Sequence, residues 1–118
     1  MRGVIDHVSR EVSDLERSAR FYDAVFYALG ARRMPAEPGA VAWGVDGPVF
    51  RILAGEAKQG HMALRAAGKA AVDAAWEAGR GAGGQDDGPP ERLPADGIRC
   101  YRACLRDPDG ARVELLSR

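Results

Sequence analysis

The chain has 118 residues, 46% of them hydrophobic, and its 17 basic and 17 acidic side chains leave no formal net charge. That balance excludes a field able to gather nucleic acid or an acidic membrane surface. No run approaches the roughly 20 apolar residues of a membrane span, and the start, MRGVIDHV, lacks the basic head and apolar middle of a secretion signal, so one cytoplasmic domain is expected.

A strand-like run, His-Val-Ser-Arg-Glu-Val, begins at His7. Ser13-Asp14-Leu15-Glu16 then reads as a capping box, with the Ser13 hydroxyl on the Glu16 amide. Leu15, Ala19, Tyr22, Val25, Phe26 and Leu29 recur at helical spacing, and Gly30 supplies the stop. A short strand is expected at Ala31–Met34. Val41–Val45 and Val49–Leu53 flank Asp46-Gly47, a hairpin signal.

Residues 54–60 read as a link. His61 then opens a second run, His-Met-Ala-Leu-Arg-Ala, and a second helical pattern spans Lys69 to Ala82, ended by Gly83-Gly84. A short strand is expected near Gly84–Asp87. The turn-rich segment from Asp86 to Gly97 reads as a solvated loop or a lid. Arg99–Arg106 and Ala111–Leu116 form a closing hairpin around Asp107-Pro108-Asp109-Gly110, which suits a type I turn.

The two halves run in step. Tyr22 lies 15 residues after His7 and Trp76 lies 15 after His61; Gly30 and Gly84 each lie 23 after their histidine. The pattern predicts an α+β domain of two β-α-β-β-β modules, residues 1–53 and 61–118, forming a cupped mixed sheet. Tyr22, Trp76 and Tyr101 are expected in the core. Cys100 and Cys104, four residues apart on one strand, would lie roughly 13 Å apart. That exceeds disulfide reach, so both are expected as free thiols.

Strand alternation places His7, His61 and Glu114 on the face away from the helices. Two imidazoles and a carboxylate suffice for divalent Fe, Mn, Zn, Co or Ni, with positions left for water or substrate. Taken singly, each is as well explained as a solvated polar residue on a strand. Glu114 lies four residues after Gly110, and Arg51 lies four after Gly47. Arg51 is thus the counterpart of Glu114 and cannot ligate a metal. It could hold an anionic substrate, or pair with Glu114 and fill the site. With an extra residue after the turn, Cys104 comes opposite Glu114, and Arg102 also faces the cup.

Ile5-Asp6-His7-Val8, Val12-Ser13-Asp14-Leu15-Glu16-Arg17-Ser18, Phe21-Tyr22, Gly60-His61-Met62-Ala63 and Asp107-Pro108-Asp109-Gly110-Ala111-Arg112-Val113-Glu114 together resemble the vicinal oxygen chelate superfamily. Its members include glyoxalase I, bleomycin-resistance proteins, fosfomycin-modifying enzymes and extradiol dioxygenases. The resemblance covers the whole chain. It implies metal ligands at His7, His61 and Glu114, a homodimer in which a cup can draw on both chains, and a metal that binds neighbouring substrate oxygens as charge develops.

The expected function is a metal-dependent lyase, isomerase or dioxygenase acting on a small oxygenated, anionic metabolite. Arg51, Arg102 and Cys104 would line the substrate site, and Glu114 could serve as base if it leaves the metal. Arg51 in place of a fourth ligand argues against a lactoylglutathione lyase. Cys104, where the fosfomycin-modifying enzymes have a tyrosine, argues against that activity. The alternatives are a non-catalytic protein that sequesters an antibiotic, and a degenerate member closed by an Arg51–Glu114 pair.

Overall fold

The computed structural model describes residues 4–95 and 98–118. The elements are β1 (Val8–Val12), α1 (Leu15–Ala28), β2 (Arg32–Met34), β3 (Ala40–Gly44), β4 (Pro48–Ala54), β5 (His61–Arg65), α2 (Lys69–Gly81), β6 (Gln85–Ala95), β7 (Ile98–Arg106) and β8 (Arg112–Ser117). They form two four-stranded mixed sheets of identical topology, β1-β4-β3-β2 and β5-β8-β7-β6. In each, the first strand runs parallel to the last and the others pair antiparallel. This is the expected α+β repeat of two β-α-β-β-β units.

Each helix covers one face of its own sheet. The α1 stripe of Phe21, Tyr22, Val25 and Phe26 is buried against Trp43, Phe50 and Ile52. On the second module, Val72 and Ala75 lie in the same core as Ala103, Leu105, Val113 and Leu115. The two helices also pack on each other, which joins both cores into one. Gly79 makes that contact possible. A Cβ there would lie 2.5 Å from Leu105 Cδ1 and 2.9 Å from Val25 Cγ2.

Several expectations need correction. The cap of α1 is Asp14, whose carboxylate accepts from the Arg17 amide at 3.0 Å. Ser13 instead turns to Asp109, accepting no bond from Glu16 and donating both its amide (3.1 Å) and its hydroxyl. β1 starts at Val8, one residue after His7, and β4 extends to Ala54, into the expected link. Helix α2 is one residue shorter than α1. Its left-handed stop is therefore Gly83 (φ 104°), the counterpart of Gly30 (φ 89°), and Gly84 takes the place of Ala31. Both ends close alike, with Ala31 donating to the Phe26 carbonyl and Gly84 to that of Gly79, each at 2.9 Å. Trp76 is only half-buried, with Arg80 stacked 4.4 Å above its ring.

The segment read as a loop from Asp86 to Gly97 is mostly strand. β6 pairs with β7 as far as Ala95, through register shifts between Asp86 and Gly88 and between Gly88 and Glu91. It is the last strand in its sheet, so Pro89, Pro90 and Pro94 can sit where no ladder bond is demanded of them. The rest of that expectation, Asp96-Gly97, lies outside the described residues. Cys100 and Cys104 are both free and buried. Among the described residues no helix is long and apolar enough to cross a membrane.

Asp107 ties the closing turn to the first helix. Its Oδ1 accepts from the amides of Asp109 and Ala111, both at 2.9 Å, and its Oδ2 accepts from the Tyr22 hydroxyl at 2.6 Å. Burial, with the Asp107 charge and hydrogen bond, drives the Tyr22 phenol far above its ordinary pKa. Tyr22 is therefore a fixed donor across the working pH range. The hairpin that carries Glu114 is in this way pinned to α1.

Candidate functional site

Strand register fixes which side chains share the face away from each helix. Ser9 lies beside Arg51, and Arg51 beside Ala42. Ala63 lies beside Glu114, and Glu114 beside Cys104. Ser9 and Ala63 each follow a histidine, His7 or His61, by two residues. The expected equivalence of Arg51 and Glu114 thus holds strand for strand. So does the expected placing of Cys104 opposite Glu114.

On the first sheet these residues open a cleft of about 510 Å³, lined by Asp6, His7, Pro35, Ala36, Glu37, Ala42, Pro48, Phe50 and Arg51. The His7 ring lies 2.8 Å from the Asp6 carboxylate through Nδ1. Arg51 donates from Nε to the Ser9 hydroxyl at 2.7 Å, and one of its terminal nitrogens lies 2.5 Å from Glu37 Oε2. The hydrogen bond from Arg51, reinforced by its charge against some desolvation, holds the Glu37 carboxyl below its usual range.

On the second sheet Glu114 is mostly buried and bonded by Arg102 at 3.2 Å. Cys104, 2% exposed, accepts a 3.3 Å contact from Arg112. Asp87, from β6, sits 3.1 Å from Arg106 and 3.6 Å from Arg112. His61 lines a separate 400 Å³ groove between β1 and β5, with Ser9, Glu11, Glu56 and Lys58 among its neighbours.

The arrangement brings His7 to Arg51, and it sets His61 and Glu114 on adjoining strands of the other sheet. Among the described residues no three His, Cys, Asp or Glu side chains are grouped to hold one cation. The donor types fit a divalent metal, but a single chain divides them between two sheets. Within one chain Arg51 and Glu114 do not pair with each other; each has a partner within its own module. Sequence reasoning did not single out Ser9, Arg112, Glu37 or Asp87. Ser9 and Arg112 were within reach of strand alternation. Glu37 lies in a Pro-Ala-Glu-Pro-Gly loop with no periodicity.

The profile of the Glyoxalase/Bleomycin resistance protein/Dioxygenase superfamily matches residues 4–115. The chain belongs to that superfamily. A search of curated proteins finds no match. Among solved structures, a glyoxalase/bleomycin resistance protein from Albidiferax ferrireducens is 30% identical, with a TM-score of 0.90 over 98% of this chain and 100% of that one. A glyoxalase-related enzyme from Fulvimarina pelagi is 22% identical (TM-score 0.75; 100% and 89% covered). A lactoylglutathione lyase from Agrobacterium tumefaciens is also 22% identical (TM-score 0.70; 98% and 94%). The latter two share the fold.

Proposed function

We propose that the protein is a metal-dependent enzyme of the glyoxalase type, a lyase, isomerase or dioxygenase for a small oxygenated anion, whose site is completed by a second copy of the chain. One observation carries this reading. His7 lines the same cleft as Arg51 on the first sheet, and on the second His61 stands two residues before Ala63, the register partner of Glu114. Joined across a dimer, His7 of one chain would meet His61 and Glu114 of the other. Closed two-fold pairing would build two such sites at once.

A divalent Fe, Mn, Zn, Co or Ni ion held there would supply Lewis-acid polarisation of substrate oxygens. The chain's own groups do the rest. Arg51 holds the anionic end of the substrate. Arg102 orients the Glu114 carboxylate. Glu114, once released from the metal, would be the carboxylate that takes up a substrate proton. Cys104 and Arg112 form one wall.

Metal analysis of protein purified without chelator tests the reading. About one equivalent per chain is expected, and His61→Ala should abolish it. A metal-free protein that still binds a cationic aromatic antibiotic tightly would support sequestration instead.

A further inference from the structure

We propose that Glu37 is a built-in competitor for the anion seat at Arg51, and that the cleft takes a monocarboxylate carried on a small apolar body. The proposal rests on Arg51 as the anion anchor in the reading above, and not on the metal.

The Arg51 guanidinium is partly exposed and held from one side by Ser9. A carboxylate already occupies its other edge, and it comes from a loop rather than from the sheet. Residues 35–39 join β2 to β3 with Pro35, Pro38 and a left-handed Gly39 (φ 85°). This loop hangs Glu37 over Arg51 while leaving its side chain 55% exposed. Such an ion pair is held weakly, because solvent competes for both partners. An incoming carboxylate can take the same place on the guanidinium.

Next to that seat the cleft is apolar, walled by Pro35, Ala36, Ala42 and Pro48. The other ionisable wall residues decide the ligand's charge. Asp6 and Glu37 bring negative charge against the single Arg51 cation, with His7 beside Asp6. A monoanion balances Arg51. A dianion such as a phosphonate adds a second charge facing Asp6 and the displaced Glu37, and like charges in one cleft repel. An uncharged amide cannot compete with Glu37 at all.

An exposed pair of this kind closes itself by roughly fivefold, and apparent affinity falls by the fraction of protein left open. Removing the Glu37 charge should therefore tighten carboxylate binding by about fivefold.

The test is a titration of the purified full chain with benzoate, benzamide and phenylphosphonate, read from the amide NMR shifts of Ala42 and Phe50. Benzoate should bind, with the other two at least about tenfold weaker. Glu37→Gln should bind benzoate about fivefold more tightly, and Arg51→Met should not bind it. Unchanged benzoate affinity in Glu37→Gln, or equal binding of benzamide, overturns the proposal. Glu37→Gln lies in an exposed loop, so it remains readable even if Arg51→Met fails to fold. Metal content, measured on the same samples, reports separately on the metalloenzyme reading.

Discussion

The two modules share one backbone plan and fill it with opposite chemistry. By register, Trp43 and Phe50 of the first module stand where Leu105 and Val113 stand in the second. On the outward face, Ser9, Arg51 and Ala42 stand where Ala63, Glu114 and Cys104 stand. The first core is a cluster of stacked aromatics, with Phe26 and Trp43 5.6 Å apart and Phe26 and Phe50 also 5.6 Å apart. The second core is aliphatic, and it draws its helix in close through Gly79. The outer faces differ as sharply, one offering a cation and the other a carboxylate. The difference teaches that the strand ladder sets where side chains meet, while each position's identity assigns the work. In the proposed dimer, a cup built from one face of each kind would set an anion seat beside a metal site.

The core contrast breaks under truncation. Trp43→Ala should cost about 3–5 kcal/mol, and Leu105→Ala about 2–5, with the tryptophan the larger of the two. Urea unfolding would show the order, and a costlier Leu105→Ala would refute an aromatic-dominated first core. Gly79→Ala puts a methyl against Leu105 and Val25. It should lower stability by about 1–3 kcal/mol in the same assay.

The face contrast sharpens under Arg51→Glu, which gives the first module the carboxylate of the second. Divalent metal should then bind roughly tenfold more tightly, worth about 1.4 kcal/mol, while benzoate binding disappears. Metal-competition titration reads the first change, and the amide NMR titration reads the second. The smallest effect concerns Asp23, which accepts two 2.8 Å bonds from Arg33 and one of 2.9 Å from Trp43. Partial burial pushes its carboxyl up, but these bonds and the Arg33 charge outweigh that and hold it below the ordinary value. Its contribution is thus full above the unfolded-state pKa of about 3.9 and fades as pH falls through the lower folded value. Asp23→Asn should cost less than about 1 kcal/mol at neutral pH, since the pair is half-exposed. The gap from wild type should close as pH falls through the folded value, as acid-melting curves would show.

Much of this was legible in the sequence because it rests on spacing. Alternation put Glu114 on one face with Ala63 and Cys104, and turn geometry matched Arg51 to Glu114. Less legible were features decided by tertiary contact. Ser13 reads as a cap until Asp109, 96 residues on, takes its hydroxyl and leaves the cap to Asp14. The proline-bearing stretch before Ala95 reads as loop, because local propensity carries no sign of the β7 ladder waiting beside it. Glu37 is an ordinary loop acid until the fold hangs it over Arg51.

The central claim is that one working site draws His7 from one chain and His61 with Glu114 from its partner. Mixing His7→Ala and His61→Ala chains after separate purification tests it directly. Within a mixed dimer, one of the two cups would regain both imidazoles, so random exchange should restore about a quarter of wild-type metal content. A mixture as metal-free as either variant alone, beside a wild type that does bind metal, would contradict it.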